Sequence, residues 1–273
     1  MSMLQAVLMG LLQGLTEFLP VSSSGHLIIG GALLGVEQSG ILLDVFLHFG
    51  TLVAVCIFFW PQIHDILEAL FAVLLRKKTK DKDVLKKRRK NLMLLLCIIV
   101  ACIPTAIIGL ILEHYSDVLF SSVKLVGALL LVTGVILWLT PRKDKEPNEA
   151  KPLNPKRALI IGLVQGVAVL PGISRSGSTI ATSLFLGISR EEAARFSFLI
   201  SVPVILGATL LEILKLRGGG LTAELLPALV GAVVAGVSGY FALRFLIKVL
   251  NKGKLYYFSI YCWILGLIAL LFL

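Results

Sequence analysis

The sequence predicts an all-α integral membrane protein: six transmembrane helices and two re-entrant helical hairpins, related as an inverted-topology repeat. Three features carry that expectation. The chain of 273 residues is 57% apolar, with a mean hydropathy of +0.94 and only 15% charged residues, a composition of membrane rather than soluble domains. Its charges fall between long apolar runs rather than along them. A polar motif rich in Gly, Ser and Pro occurs twice, each time interrupting an apolar run and each time followed by three long ones.

The elements follow in chain order. The runs 3–19 and 27–35 are joined by "PVSSSGH" at 20–26. A full span needs ~20 apolar residues, so two short arms about a polar turn read as a hairpin that enters the membrane and returns. Irregular backbone is tolerated at that depth only where protein or a wet cavity surrounds it. Run 41–60 is a full span, and 61–90 reads as a solvated helix on the membrane surface. Spans 92–112 and 122–140 complete the first repeat, 1–140. A basic linker, 141–157, leads to the second repeat, 158–273. This opens with arms 158–170 and 180–188 about "PGISRSGST" (171–179) and continues through spans 196–214, 224–247 and 256–273. The N-terminus lacks the basic region of a signal peptide, so no cleaved leader is expected. Cys56, Cys97, Cys102 and Cys262 all lie in apolar runs without metal-ligand or disulfide spacing, and read as packing residues.

Lys and Arg set the orientation. Most of the 26 basic residues lie in 76–90, in 141–157 and at Arg190, Arg195, Arg244, Lys248, Lys252 and Lys254. Only Lys124, Lys215 and Arg217 fall in the opposite loops, and Arg175 lies inside the second hairpin. With the basic side in the cytoplasm every span alternates, and both termini lie outside. The net charge of +10 therefore reports topology and contact with anionic headgroups, and excludes nucleic acid as the partner it would suggest in a soluble chain.

The repeat is legible residue by residue. "GLLQGLTEFLPVSSSGH" from Gly10 aligns with "GLVQGVAVLPGISRSGS" from Gly162. Gln13 matches Gln165 and Gly14 matches Gly166. After a one-residue slip at Pro20 and Pro171, Ser22, Ser24 and Gly25 match Ser174, Ser176 and Gly177; Ser23 then faces Arg175 and His26 faces Ser178. Three spans after each copy force the second to enter upside down, so the two polar turns would meet near the midplane.

The second turn has the chemistry of an anion site. An arginine near the bilayer centre costs ~2.5–3.5 kcal/mol on insertion scales and points to something anionic beside it. Ser174, Ser176, Ser178 and Thr179 add hydroxyls, Gly172 and Gly177 let a ligand approach the backbone, and the helix that follows aims its N–H groups into the cavity. An arginine fork with these groups describes a phosphate site; a structural turn with Arg175 paired to Glu17 is the alternative. The first turn adds reactive groups. Gln13 and Glu17 share a helix face, Ser22, Ser23 and Ser24 start the returning helix, and His26 follows Ser23 by one helical turn. Hydroxyl, imidazole and carboxylate make a nucleophile, a base and its orienter; serines that only cap, with a histidine satisfying a carbonyl, are the structural alternative. Asp44 and His48, four apart at the start of a span, could also face the cavity. Glu212, by Lys215 and Arg217, reads as part of a snorkelling surface pair.

"QGLTEFLPVSSSGH" and "PGISRSGST" resemble the two signature motifs of the bacterial undecaprenyl pyrophosphate phosphatases of the bacitracin-resistance type. The resemblance extends over essentially the whole chain, including "SREEAARFSFL" at 189–199. The family's first motif carries Glu or Gln, three residues, then Glu; here these are Gln13 and Glu17. The resemblance implies a multi-pass protein of the bacterial inner membrane, a site open to the outer side, a homodimer, and a divalent-cation requirement (Mg2+ or Ca2+) with no organic cofactor. The expected reaction removes the terminal phosphate of a C55 polyprenyl pyrophosphate, recycling the carrier lipid of the cell wall. Ser23 would attack, activated by His26, with Glu17 orienting the histidine or holding the cation. Arg175, Ser174, Ser176, Thr179, Gln13, Ser22 and Ser24 would bind the pyrophosphate. The rival class is a transporter, a polyprenyl-phosphate flippase or an anion carrier, which would want the same arginine and hydroxyls at a midplane site but no nucleophile.

Overall fold

The computed structural model describes residues 2–36, 41–142, 150–215 and 225–273. All regular structure among them is helical: α1 (Met3–Phe18), α2 (Ser23–Leu34), α3 (Ile41–Phe58), α4 (Trp60–Leu74), α5 (Lys82–Glu113), α6 (Ser116–Ser121), α7 (Val123–Trp138), α8 (Pro155–Val167), α9 (Arg175–Phe185), α10 (Arg190–Lys215), α11 (Leu225–Asn251) and α12 (Tyr257–Phe272). The side chain of Glu212 and residues 216–224 lie outside the description, and with them the expected surface pair.

Local sequence explains the boundaries. Ser2 and Gln5 close a capping box at the start of α1, satisfying two N–H groups the helix leaves open. Ser22 caps α2 and Ser174 caps α9 through the N–H groups of Gly25 and Gly177. Gly35 ends α2 in the left-handed region at φ 61°, where a Cβ would be strained. Asn154 caps α8, with Pro155 at the first helical position, where its missing N–H costs nothing.

Three helices, α5, α10 and α11, are long and apolar enough to cross a membrane, and α3 with α4 makes a fourth candidate bent by 77°. The bend falls at the expected end of the span 41–60, while the single helix expected over 61–90 is divided into α4, a turn and the start of α5. Pro61 sits in the first turn of α4 and cannot continue the hydrogen bonding of α3. The chain then stops at Leu74: the N–H of Arg76 bonds to Val73 O and that of Lys77 to Ala72 O, a Schellman closure with Arg76 at φ 50°. Asp81 starts α5 afresh by accepting from the N–H groups of Asp83 and Val84. The basic run is thus divided between a turn and the first turns of α5. At ~1.5 Å per residue, the 32 residues of α5 outreach a hydrocarbon core of ~30 Å. The 16 residues of α7 and of α12 fall short of it.

The helices pack in a definite pattern. α11 lies against α1 and α3, α5 against α8, α4 and α10, and α12 along α7. Small residues permit the closest approaches. A Cβ on Gly10 would meet the carbonyl oxygen of Gly231 at 2.5 Å, one on Gly162 that of Ala101 at 2.2 Å, and one on Gly127 that of Gly266 at 2.8 Å. Such close helix contact between small residues is a membrane device, where van der Waals packing must supply what water cannot. The apolar side chains on the outer faces, among them Leu15, Ile57, Ile107 and Phe241, are exposed. Buried polar residues also occur where the turns of 19–22 and 168–174 meet, among them Gln13, Glu17, Ser22, Ser174 and Ser176.

Candidate active site

The two turns touch at four points. Ser22 Oγ accepts from the N–H of Gly172 at 3.0 Å, Ser176 Oγ donates to Leu19 O at 3.3 Å, and Pro20 packs on Gly177. The fourth contact is ionic: Arg175 Nη2 lies 2.9 Å from Glu17 Oε1. Both partners are largely withdrawn from solvent, with 15% and 5% of their side chains exposed, so the pair operates in a low dielectric.

Glu17 is the hub. Its Oε2 accepts from Gln13 Nε2 at 3.1 Å and from Ser23 Oγ at 2.5 Å, while Oε1 holds Arg175. The spacing of Gln13 and Glu17 on α1 puts both on the buried face. His48 on α3 turns its Nδ1 to Asp44 O at 2.8 Å. Two polar atoms in this network are buried without a partner, Arg175 Nη1 and Gln13 Oε1. An orphaned buried donor and an orphaned acceptor beside one carboxylate are costly in a finished core, and both are available to a ligand. The position after the second turn adds Ser178 Oγ, also buried and unpaired.

The expected pairing of Ser23 with His26 is not the one found. Ser23 Oγ donates its hydrogen bond to Glu17 Oε2 instead. His26 Nδ1 lies 2.7 Å from Ser22 O and Nε2 lies 2.7 Å from Tyr261 Oη. A carbonyl only accepts, so Nδ1 carries the proton and the tyrosine hydroxyl donates to Nε2. The rings of His26 and Tyr261 stack 5.6 Å apart, within 4° of parallel. The reason for the difference is local. His26 sits in the first turn of α2, where the Ser22 carbonyl is the nearest acceptor. Nothing in the pattern of residues 10–26 announces a partner from residue 261.

The hydroxyls of the second turn also have other work than the sequence suggests. Ser174 caps α9 and lies 3.3 Å from Ser176 Oγ. Thr179 Oγ1 reaches Arg175 O at 2.8 Å and Ser197 Oγ at 2.6 Å. Each is fully buried and bonds to a neighbouring helix or loop group. Ser22 caps as expected and bridges the turns besides; Ser24 Oγ has no partner among the described residues. Thr133 of α7, which the sequence did not single out, holds the second turn open. It donates to Gly172 O at 2.8 Å and accepts from the N–H of Ser174 at 3.1 Å. Gly172, at φ 101°, has no room for a Cβ beside Val126 O and Leu129.

The described residues include one group of His and carboxylate donors within mutual ligand reach, His64, Asp65 and Glu68 on α4. It belongs to neither turn, and Asp65 is paired with Lys87.

An all-helical, multi-pass membrane protein with arginine, carboxylate and serine joined across two broken helices defines a class: membrane proteins that handle a phosphate-type anion. Residues 6–268 match the family described as Bacitracin resistance protein BacA, and the chain belongs to that family. It is 45% identical over 272 residues to the undecaprenyl-diphosphatase of Halothermothrix orenii, covering 99% of this chain and 98% of the relative. The undecaprenyl-diphosphatases of Desulfosudis oleivorans, at 46% identity, and Alkaliphilus metalliredigens, at 44% identity, are matched over at least 98% of either chain.

Proposed function

We propose that the protein is a membrane phosphatase that removes the terminal phosphate of undecaprenyl pyrophosphate, leaving undecaprenyl phosphate and inorganic phosphate. The observation that carries this reading is the continuous line Ser23–Glu17–Arg175 across the two turns, with Arg175 Nη1 buried and unpaired. The line supplies a nucleophile whose proton already has an acceptor, and an anion clamp beside it. The relatives named undecaprenyl-diphosphatase support the substrate.

In this mechanism Arg175 binds the terminal phosphate through its free nitrogen while Glu17 fixes the other. Ser23 Oγ attacks the terminal phosphorus in line and passes its proton to Glu17. The bond to the bridging oxygen breaks and the lipid monophosphate leaves. Water then attacks the phosphoserine, and Glu17 returns its proton to Ser23. His26 is the base for that water through Tyr261, whose oxygen takes the water's proton as its own hydroxyl proton passes to Nε2. Positioning and charge neutralisation do most of the work in phosphoryl transfer. The residues also fit a divalent cation. Gln13 Oε1, buried and unpaired, and the Glu17 carboxylate are hard oxygen donors, and phosphate oxygens would complete the set. Such an ion would neutralise the charge of the pyrophosphate.

The same reading places six spans and two re-entrant hairpins in an inner membrane, with the halves 1–140 and 158–273 inverted and the site open to the outer side. It is supported by the packing. The first-copy arm α1 lies on α11 as the second-copy arm α8 lies on α5, and the repeat-matched Gly10 and Gly162 make those two contacts. A homodimer accords with the family.

Phosphate release from a polyprenyl pyrophosphate by purified protein tests the reading. Ser23→Ala should lose several orders of magnitude of turnover with binding retained. Arg175→Ala should lose both, and Arg175→Lys should rescue poorly, because a point charge cannot bridge carboxylate and phosphate as a fork does. If Ser23→Ala keeps most of the activity, water attacks directly and the serine is only a ligand. If the wild type releases no phosphate but moves lipid phosphate between leaflets, the transporter reading replaces this one.

A further inference from the structure

The turn between α4 and α5 forms a basic pocket far in sequence from the catalytic turns. It has a volume of about 570 Å³ and is lined by Lys77, Lys78, Thr79, Lys80, Leu85 and Arg88, within the range of about 300–1,000 Å³ typical of small-ligand pockets. Thr79, Leu85 and Arg88 form a half-buried floor, and the three lysines stand exposed around it. The concavity is built rather than incidental. Arg76 takes the left-handed region at φ 50° to turn the chain, and Arg88 Nη1 donates to Lys77 O at 2.9 Å to pin the turn on α5. No acidic side chain lines the pocket, where four cations converge; the carboxylates beside it are Asp81, which caps α5, and Asp83 in the first turn of α5, while Asp65 holds Lys87.

Its position selects among anions. Phe71, Leu74 and Leu75, on the last turn of α4 and just beyond it, are exposed apolar side chains directly preceding the basic turn. Apolar residues at one edge and lysines at the other are the profile of a segment lying at the boundary of acyl chains and headgroups. We propose that this pocket binds the phosphate headgroup of an anionic membrane lipid, in the leaflet at the α4–α5 turn. The lipid tails would lie over Phe71, Leu74 and Leu75, and its phosphate would supply a counter-ion within the pocket. The proposal is independent of how the catalytic turns work.

Retention of phosphatidylglycerol against phosphatidylcholine, read by native mass spectrometry of the full-length protein, tests it. The wild type should keep phosphatidylglycerol in preference. The triple variant Lys77→Gln, Lys78→Gln, Lys80→Gln should retain it on the order of 100-fold less, from about fivefold per lysine removed near a charged surface. Arg88 is left in place because it holds the turn. The variant Lys86→Gln, Arg89→Gln, Lys90→Gln removes the same charge from exposed positions of α5 outside the pocket and should retain the lipid. Equal loss in the two triples would mean diffuse surface attraction and would overturn the site. Inorganic phosphate competing as well as the lipid would overturn the headgroup assignment. Both variants are checked for unchanged thermal unfolding, and Lys78→Gln alone, with a several-fold loss expected, serves if a triple fails to fold.

Discussion

The hydroxyl of Ser22 accepts from the N–H of Gly172 as well as from that of Gly25. Ser22→Ala therefore removes a helix cap and strands a buried donor in the opposite turn. A cap is worth ~1 kcal/mol and an unsatisfied buried group ~1–3 kcal/mol, so denaturant or thermal unfolding in detergent should show a loss of about 2–4 kcal/mol. Ser24→Ala, with no bond to lose, should be near neutral. Tyr261 offers a second test at this scale. Tyr261→Phe keeps the ring against His26 but takes away its donor to Nε2. Turnover should fall about tenfold, equivalent to one hydrogen bond of ~1–1.5 kcal/mol, with KM little changed. Unchanged turnover would show that the tyrosine only packs.

At the scale of elements, glycines decide how close the arms of the hairpins come to their neighbours. Gly10 meets a backbone carbonyl of α11 and Gly162 one of α5, both too near for a Cβ. A carbonyl cannot move aside as a flexible side chain can, so Gly10→Ala and Gly162→Ala should each cost ~1–3 kcal/mol by overpacking. Gly109, in α5, has nothing within 4 Å of its Cβ position. Gly109→Ala should therefore stabilise by ~0.5–1 kcal/mol, the ordinary helix preference, and thermal melting of the three variants checks the contrast. These elements also show what the sequence made legible. The arms, caps and both polar turns followed from apolar periodicity, serines before helices and the repeated motif, because those signals are local. The end of the span near residue 60 is legible as well, but the left-handed Arg76 that ends α4 is not, because nothing in a string of lysines marks a turn. The partners of the site residues were missed for a different reason. Tyr261, Thr133 and Ser197 come from distant helices, and a hydroxyl in a span has no pattern that distinguishes a bond from a packing role.

On the scale of the whole molecule, the packing pairs can be exchanged in a regular way. Swapping the first repeat for the second turns the contact of α1 with α11 into that of α8 with α5, and the contact of α3 with α11 into that of α10 with α5. The contact of α7 with α12 maps onto itself, with Gly127 and Gly266 each 2.8 Å from the other's oxygen at their Cβ positions. A pseudo-twofold repeat gives such an exchange; in the inverted arrangement proposed above, the two polar turns reach one place from opposite sides. It makes a prediction about water access that the catalytic residues do not. With the four native cysteines replaced, single reporters at 115 and 118 should react with a membrane-impermeant thiol reagent from outside intact cells. Reporters at 82, 86 and 151 should react only after the membrane is opened. In the proposed arrangement three spans follow each turn, and this puts the basic segments on one side. Labelling of position 151 from outside would put the linker and the 76–90 segment on opposite faces. The second turn would then enter from the same side as the first, and the contacts between Glu17 and Arg175 and between Ser22 and Gly172 could no longer be explained by inversion.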